Sequence, residues 1–398
     1  MVYRNPGQAG LWIDKTGGAT MNRAMEPSFS IGRLFGIQIG FSVSWFIIFA
    51  LVTWTLAEGY FPAQRLISPD SIVWALALIG SLLFFASVLV HELAHSVVAL
   101  HNGIPVTRIT LFIFGGVAQI GREAPTPRVE AAISAAGPAA SFVLAIVFGF
   151  AYLVTVEVSR AAASLFMWLA LVNGSLAIFN LLPGFPLDGG RLLRALIWSI
   201  TNDFRSATRV ASIAGQAAGL FLAFYGLSLV FGPDGILLQG LWPALIGMFL
   251  YNAAQNSWRA LKLTEDLKDV TVQNAMVRDV VTVPVDSSVK ELVENYLLRQ
   301  RHRRYPVVEG DRLVGTVGFE EVRSVPIDRR ESSSLQPLLR LVEEQPPLEI
   351  TESGDRALEK MAELGAEELP VVSDGRLVGM LRRDDLLGLV QIREHLRQ

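Results

Sequence analysis

The chain has 398 residues, 51% of them hydrophobic and only 18% charged, with a mean hydropathy of +0.41. This excludes an ordinary soluble globular protein, and the absence of cysteine excludes disulfides and thiolate metal ligands. Residues 1–262 carry a net charge of +4 and residues 263–398 a net −7, so an oily body is joined to a water-soluble tail.

In chain order, residues 1–28 are expected to be a weakly ordered N-terminal segment. Six apolar stretches follow at 39–57, 72–100, 129–156, 163–187, 209–231 and 236–258. Each is near the ~20 helical residues that cross a hydrocarbon core of ~30 Å. The expected fold class is a polytopic α-helical membrane protein with six transmembrane helices. A cleavable signal peptide is not expected, because the first stretch follows almost 40 mostly polar residues. Ten Lys and Arg residues fall in the N-terminal segment and in the second and fourth connections, while the opposite side has only Arg65 and Arg160. That bias puts both termini on the cytoplasmic side of a multi-pass cell-membrane protein. Residues 105–122 are β-branched, interrupted by Gly115-Gly116 and too short for a spanning pair. They read as a short membrane-associated β-hairpin or re-entrant loop, tolerated at that depth beside protein or a water-filled cavity.

The second stretch contains His91-Glu92-Leu93-Ala94-His95, an H-E-x-x-H. On a helix, positions i and i+4 lie about 40° apart, so both imidazoles can reach one cation. Glu92 sits beside them, where it can take a proton from a water on the metal. Two histidines and a glutamate in an apolar helix each oppose insertion, which marks them as functional. A tetrahedral site needs a third protein ligand. His101 falls at the position of the third histidine in a longer metalloprotease pattern, but that pattern needs a helix-breaking glycine where this chain has Val98. Asp188 is the better candidate. It lies in Asn180-Leu-Leu-Pro-Gly-Phe-Pro-Leu-Asp188-Gly-Gly190, where prolines and glycines must interrupt the fourth helix and free a side chain to point into a cavity. The competing reading makes Asp188 an N-cap of the short helix 190–200. Asn180 could tie the broken backbone or donate to the oxyanion of a tetrahedral intermediate, and Asn173 reads as packing or helix–helix glue.

The pair His91-Glu92-x-x-His95 and Asn180-x-x-Pro183…Leu187-Asp188-Gly189 resembles the site-2 protease family of intramembrane zinc metalloproteases, peptidase family M50. Phe114-Gly115-Gly116-Val117-Ala118 and Gly137-Pro138 look like further features of that family, and the resemblance covers about residues 30–260. It implies a metalloprotease domain over 29–262, one Zn2+ per chain on His91, His95 and Asp188, and Glu92 as general base. It further implies that Asn180 binds the scissile carbonyl and that Gly115, Gly116 and Val117 lie in a hairpin that pairs with an unwound transmembrane substrate. The implied partners are a transmembrane protein substrate and the lipid bilayer. Nothing in the charge balance or motifs points to nucleic acid. A transporter with a regulatory tail is the principal rival, and its expected signature is paired inverted repeats or charges along several spans.

After Trp258 the pattern changes to short strands and charged amphipathic helices. Tyr305-Pro-Val-Val…Arg312-Leu-Val-Gly315 recurs 64 residues later as Leu369-Pro-Val-Val…Arg376-Leu-Val-Gly379. Two such β-α-β-β-α units resemble tandem cystathionine-β-synthase (CBS) domains, an α/β module divided as 263–329 and 330–398. The resemblance implies clefts for an adenine nucleotide and a homodimer through the CBS domains. The usual nucleotide pattern, a Ser or Thr for phosphate and an Asp for ribose, is altered in both copies. The first has Gly318 and Glu321, and the second has Arg382, which can hold a phosphate, and Asp385. A ligand-free docking module is the other reading of the tail. The cluster Arg299, Arg301, His302, Arg303, Arg304 reads either as a phosphate or anionic-lipid contact or as a solvated helix end.

Overall fold

The structure is a computed structural model that describes residues 29–64, 70–113, 115–232, 237–299, 302, 304–331 and 333–396. The N-terminal segment 1–28, Phe114, Arg301 and Arg303 lie outside the described residues. The chain divides into two compact units, one ending at Leu261 and the other beginning at Lys262.

The first unit opens with strands β1 (Phe29–Leu34) and β2 (Ile37–Phe41), joined by a two-residue turn in which Phe35 and Gly36 both have positive φ. Such a turn matches the twist of a hairpin. Helix α1 (Val43–Thr55) continues through one π turn, Leu56–Tyr60, into Phe61–Ala63. Helix α2 (Asp70–His101) leads to β3 (Val106–Phe112) and β4 (Gly115–Ile120). Helices α3 (Pro127–Thr155), α4 (Arg160–Asn180), α5 (Asp188–Thr201), α6 (Phe204–Phe231) and α7 (Leu237–Lys268) as far as Leu261 complete it. Among the described residues, five helices are long and apolar enough to cross a membrane: Val43–Ala63, Asp70–His101, Pro127–Thr155, Arg160–Asn180 and Phe204–Phe231. The sixth expected stretch, 236–258, begins outside the described residues and continues in α7.

Two expected spans have different ends. Residues 39–41 belong to β2 rather than to the first helix, because Ile39, Gly40 and Phe41 pair in parallel with Ile109, Thr110 and Leu111 of β3. The 105–122 segment forms an antiparallel pair from Val106↔Ile120 to Phe112↔Gly115 within a four-stranded sheet ordered β1-β2-β3-β4. Its buried Ile37, Val106 and Ile109 pack with Ala99 of α2 and Ile133 of α3. The fourth helix stops at Asn180, short of residue 187, since Pro183 lacks an N–H and forces its predecessor out of helical geometry. The following loop is held by a hydrogen bond from Phe185 N–H to Ala211 O (3.1 Å) on α6.

Three helix starts in this unit are set by side chains. Thr126 accepts from Val129 N–H with Pro127 in the first turn, Ser159 accepts from Ala162 N–H, and Asp203 accepts from Arg205 and Ser206 N–H. Within the bundle, polar side chains tie helices together. Thr53 donates to Ser81 (2.8 Å), and Asn173 donates to Ser87 (3.3 Å) and to its own helix at Leu169 O (2.8 Å). Asn173 therefore is helix–helix glue.

The second unit contains one sheet ordered β5-β6-β7-β11-β10-β9, with β8 on β7. The first repeat comprises β5 (Val283–Pro284), α8 (Val289–Glu291, extended by a π turn over Leu292–Leu297), β6 (Arg304–Glu309), β7 (Arg312–Gly318) and α9 (Phe319–Arg323). After β8 (Arg340–Leu341), the second repeat comprises β9 (Leu348–Glu349), α10 (Gly354–Glu363), β10 (Glu368–Ser373), β11 (Arg376–Arg382) and α11 (Arg383–Leu396). The hairpins superimpose in register, Tyr305↔Val317 matching Leu369↔Leu381, and even the irregularity at Val307/Val308 recurs at Val371/Val372. The repeats differ before the hairpin. Val283 pairs with Val307 but Leu348 pairs with Val371, so the first copy has one residue more. That extra residue coincides with the π turn, whose wider i→i+5 loop absorbs it.

Helices α6 and α7 touch backbone to backbone. A Cβ on Gly219 would lie 2.6 Å from Tyr251 N and 2.7 Å from Gly247 O, and Gly226 faces Gly240 and Ala244 in the same way. Such close approach brings many backbone atoms of the two helices into van der Waals contact. Gly219→Val is expected to cost about 1–3 kcal/mol, the usual range for overpacking, read as a lowered thermal unfolding midpoint of the detergent-solubilised chain.

Candidate metal centre

α2 supplies the two imidazoles and α3 orients them. His95 Nδ1–H donates to Ile133 O at 2.6 Å, which leaves Nε2 as the free lone pair. His91 Nδ1 shares a 2.9 Å hydrogen bond with the Ser141 hydroxyl. Such outer bonds fix ring orientation at metal sites. The two Nε2 atoms lie 3.2 Å apart, and Asp188 Oδ2 lies 3.2 Å from His91 Nε2 and 3.1 Å from His95 Nε2. Both histidines are buried, and Asp188 is nearly so.

This triangle fits a metal ion. Donors on a tetrahedron with bonds of about 2.0–2.1 Å are roughly 3.3 Å apart. A Cβ on Gly137 of α3 would lie 2.6 Å from His91 Nε2 and closer still to His95 Nε2, so the glycine clears the space beside both imidazoles. Asp188 is not the N-cap of α5. That position is Leu187, and no side chain caps the helix, so the carboxylate is turned to the imidazoles instead. His101 is the last residue of α2 and is exposed, away from this cluster. Among the described residues, His91, His95 and Asp188 are the group able to hold an ion.

Glu92 is half-buried and lies against β4. A Cβ on Gly116 would overlap Glu92 Cγ and fall 3.1 Å from its Oε1, so Gly116 is the space that the carboxylate occupies. Gly115 and Gly116 are half-buried, Val117 is exposed, and their strand is one edge of the sheet. Asn180 ends α4 and donates to Leu176 O (3.0 Å) of its own helix. Sequence reasoning missed Ser141 and the Ile133 carbonyl. Ser141 lies eight residues after Ile133, with Gly137 midway, and that four-residue spacing on a helix was the available signal. A backbone carbonyl leaves no sequence signal.

In the second unit, Arg382 and Asp385 meet one another: Nε to Oδ2 at 2.8 Å and Nη2 to Oδ1 at 3.2 Å, both partly exposed. In the first copy Glu321 Oε1 accepts from Arg304 (2.7 Å) and Arg340 (2.7 Å), and its Oε2 accepts from Gly318 N–H (3.0 Å). Of the basic cluster, Arg299 and His302 are exposed, whereas Arg304 is taken up by Glu321.

The Peptidase family M50 model matches residues 79–163 and 154–226, and the CBS domain model matches 267–328 and 345–391. The chain is 35% identical over 373 residues to Rip3 of Mycobacterium tuberculosis, which bears the name of a zinc metalloprotease. That alignment covers 92% of this chain and 94% of Rip3. The chain belongs to peptidase family M50. It is 29% identical to zinc metalloprotease MJ0392 of Methanocaldococcus jannaschii over 93% of this chain and 98% of that protein. A solved site-2 protease from Methanocaldococcus jannaschii shows 30% identity, covering 58% of this chain and 95% of that one, with a TM-score of 0.41. This M50 member is therefore a metalloprotease with apolar helices suited to a membrane and a tail of CBS domains.

The two glycines give separable outcomes. Gly137→Ala is expected to spread the imidazoles and reduce bound zinc at least tenfold, measured by metal analysis of the purified chain. Gly116→Ala is expected to displace Glu92, leaving zinc near one per chain while proteolysis of a reporter falls at least tenfold.

Proposed function

We propose that this protein is an intramembrane zinc endopeptidase that hydrolyses peptide bonds within or near transmembrane segments of other membrane proteins, under regulation by its CBS pair. The observation carrying this reading is the triangle of His91 Nε2, His95 Nε2 and Asp188 Oδ2, with edges of 3.1–3.2 Å. On this reading His91, His95 and Asp188 hold one Zn2+. When bound there, zinc supplies Lewis acidity that lowers the pKa of water and polarises the scissile carbonyl.

The chain's own groups do the rest. Glu92, braced over Gly116, takes the proton from the attacking water and returns it to the leaving nitrogen. Ser141 and Ile133 O keep both Nε2 atoms aimed at the site. Asn180 has a second amide N–H beyond the one given to Leu176 O, and it donates to the scissile carbonyl. A transmembrane substrate helix hides its carbonyls in i→i−4 hydrogen bonds, so it must unwind. The open edge of β4, at Gly115, Gly116 and Val117, pairs with the unwound strand and satisfies its backbone.

The body, residues 29–262, spans the cell membrane six times with the start of α7 as the sixth span, the β3–β4 hairpin is membrane-associated, and both termini are cytoplasmic. Residues 263–329 and 330–398 form the two CBS copies, which mediate a homodimer. The second binds an adenine nucleotide, with Arg382 on phosphate and Asp385 on ribose.

Glu92→Gln is expected to abolish cleavage of a transmembrane reporter with zinc still near one per chain, whereas Asp188→Ala lowers both. Unchanged cleavage in the first variant, or full zinc in the second, would reject the assigned roles. For the tail, Arg382→Ala is expected to weaken AMP binding at least tenfold, in line with roughly 1.5–3 kcal/mol for a hydrogen bond to a charged group, measured by calorimetry on the full chain.

A further inference from the structure

α5 carries more than Asp188. Arg191 and Arg194 follow at three-residue steps, so the three side chains leave neighbouring positions on one side of the helix. Both guanidinium groups turn to a single carboxylate, Glu130 of α3, which is fully buried. Arg194 donates to Glu130 Oε1 through Nε at 2.7 Å and also through Nη2, while Arg191 Nε lies 3.8 Å from the same oxygen. The Arg194 guanidinium is also set over two rings, 5.0 Å from the centroid of Phe185 and 4.6 Å from that of Phe204. Phe185 belongs to the loop that delivers Asp188, and Phe204 opens α6.

A buried ion pair is poor value as a source of stability, because desolvation offsets most of the attraction. Its best-attested use is to fix one register against others. The register at stake here is that of α5 against α3. Glu130, Ile133, Gly137 and Ser141 all fall on one face of α3, within about 16 Å along its axis. Ile133 and Ser141 hold the imidazoles, and Gly137 lies beneath them. One face of one helix therefore serves as the reference for both halves of the metal centre. It reaches the histidines directly and reaches Asp188 through the arginines two and one turns further along α5. A slip of α5 by a single turn would carry Asp188 about 5.4 Å from the imidazoles.

We infer that Glu130 is a positioning residue of the metal centre: by binding Arg194 and Arg191 it sets α5 against α3 and so holds Asp188 at His91 and His95. This rests on the reading of those three residues as the zinc ligands. The test is zinc affinity, measured by chelator competition on the purified full chain in detergent, with circular dichroism as the control for folding. Glu130→Gln is expected to bind zinc at least tenfold more weakly, with its helix content intact. In an Asp188→Ala background the same change is expected to add less than twofold, because Glu130 acts through the aspartate. An equal loss in both backgrounds overturns the proposal, since Glu130 would then act on the fold at large. Less than a tenfold loss in Glu130→Gln, with zinc lost in Asp188→Ala, overturns the positioning role and leaves the ligand assignment standing. Wild-type affinity in Asp188→Ala overturns the ligand assignment and the proposal with it. Should Glu130→Gln fail to fold, Arg194→Lys takes its place, since it keeps the charge but not the two-pronged contact. Loss of folding in both variants makes the cluster a general folding element and overturns the positioning role.

Discussion

Three lone-pair donors converge within 3.2 Å of one another in the interior of a helical bundle. Two neutral imidazole nitrogens facing each other and a carboxylate repel unless a cation or protons lie between them, and low polarity around them magnifies that repulsion. A protein that presents this set has arranged its scaffold against that force. Ile133 O and Ser141 grip the far side of each ring, Gly137 withdraws its side chain from the focus, and α4 breaks so that a carboxylate can arrive from the opposite helix. The rest of the body reads as what makes these concessions affordable in lipid.

The break after Asn180 shows how. A helix interrupted within a bundle frees carbonyl and N–H groups that need new partners. Here Leu182 N–H bonds to Phe179 O, Gly184 N–H to Leu182 O, Phe185 N–H to Ala211 O on α6, and Leu187 N–H to Gly184 O. Those bonds need backbones in direct contact. Gly184 rests on Gly215 of α6, Gly189 on the Leu181 and Leu182 carbonyls, and Gly190 on Gly184 and Phe185, and a Cβ at any of the three would overlap main-chain atoms. The two glycines after Asp188 are therefore steric requirements of the turn that aims it, and the chemistry of the aspartate depends on them at one remove.

What was readable from sequence follows from the same physics. His91, Glu92, His95 and Asp188 stood out because polar, ionisable side chains are costly in an apolar helix, so few needed weighing, and the structure brings three of them to one point. The 64-residue repeat stood out because strand alternation and turn residues recur together, and its hairpins pair in identical register. Strands β1 and β2 gave no such signal. Every residue of β1 is exposed, a register shift at Ser30/Gly32 spoils its alternation, and β2 runs straight into an apolar helix, so its last residues read as the start of a span. The end of α4 was misjudged by counting apolar residues through a proline. Glu130 was passed over because its partners lie 61 and 64 residues away, on a helix whose approach to α3 only the fold reveals.

The two CBS copies share a hairpin and differ at the two positions where a ligand is expected, and the difference has a direction. Burial works against charge on Glu321, but the Arg304 hydrogen bond and the Arg304 and Arg340 charges outweigh it and hold this carboxyl below the usual range. A carboxyl so depressed stabilises the fold above its ordinary pKa and loses that contribution as pH falls through the lowered value. With a backbone N–H on its other oxygen as well, both oxygens of Glu321 are engaged within the protein. Arg382 and Asp385 pair with each other, and both are partly exposed. An exposed pair of this kind contributes little to stability. The first copy has built its acidic position into a network of hydrogen bonds, whereas in the second the acidic and basic residues form a pair at the surface.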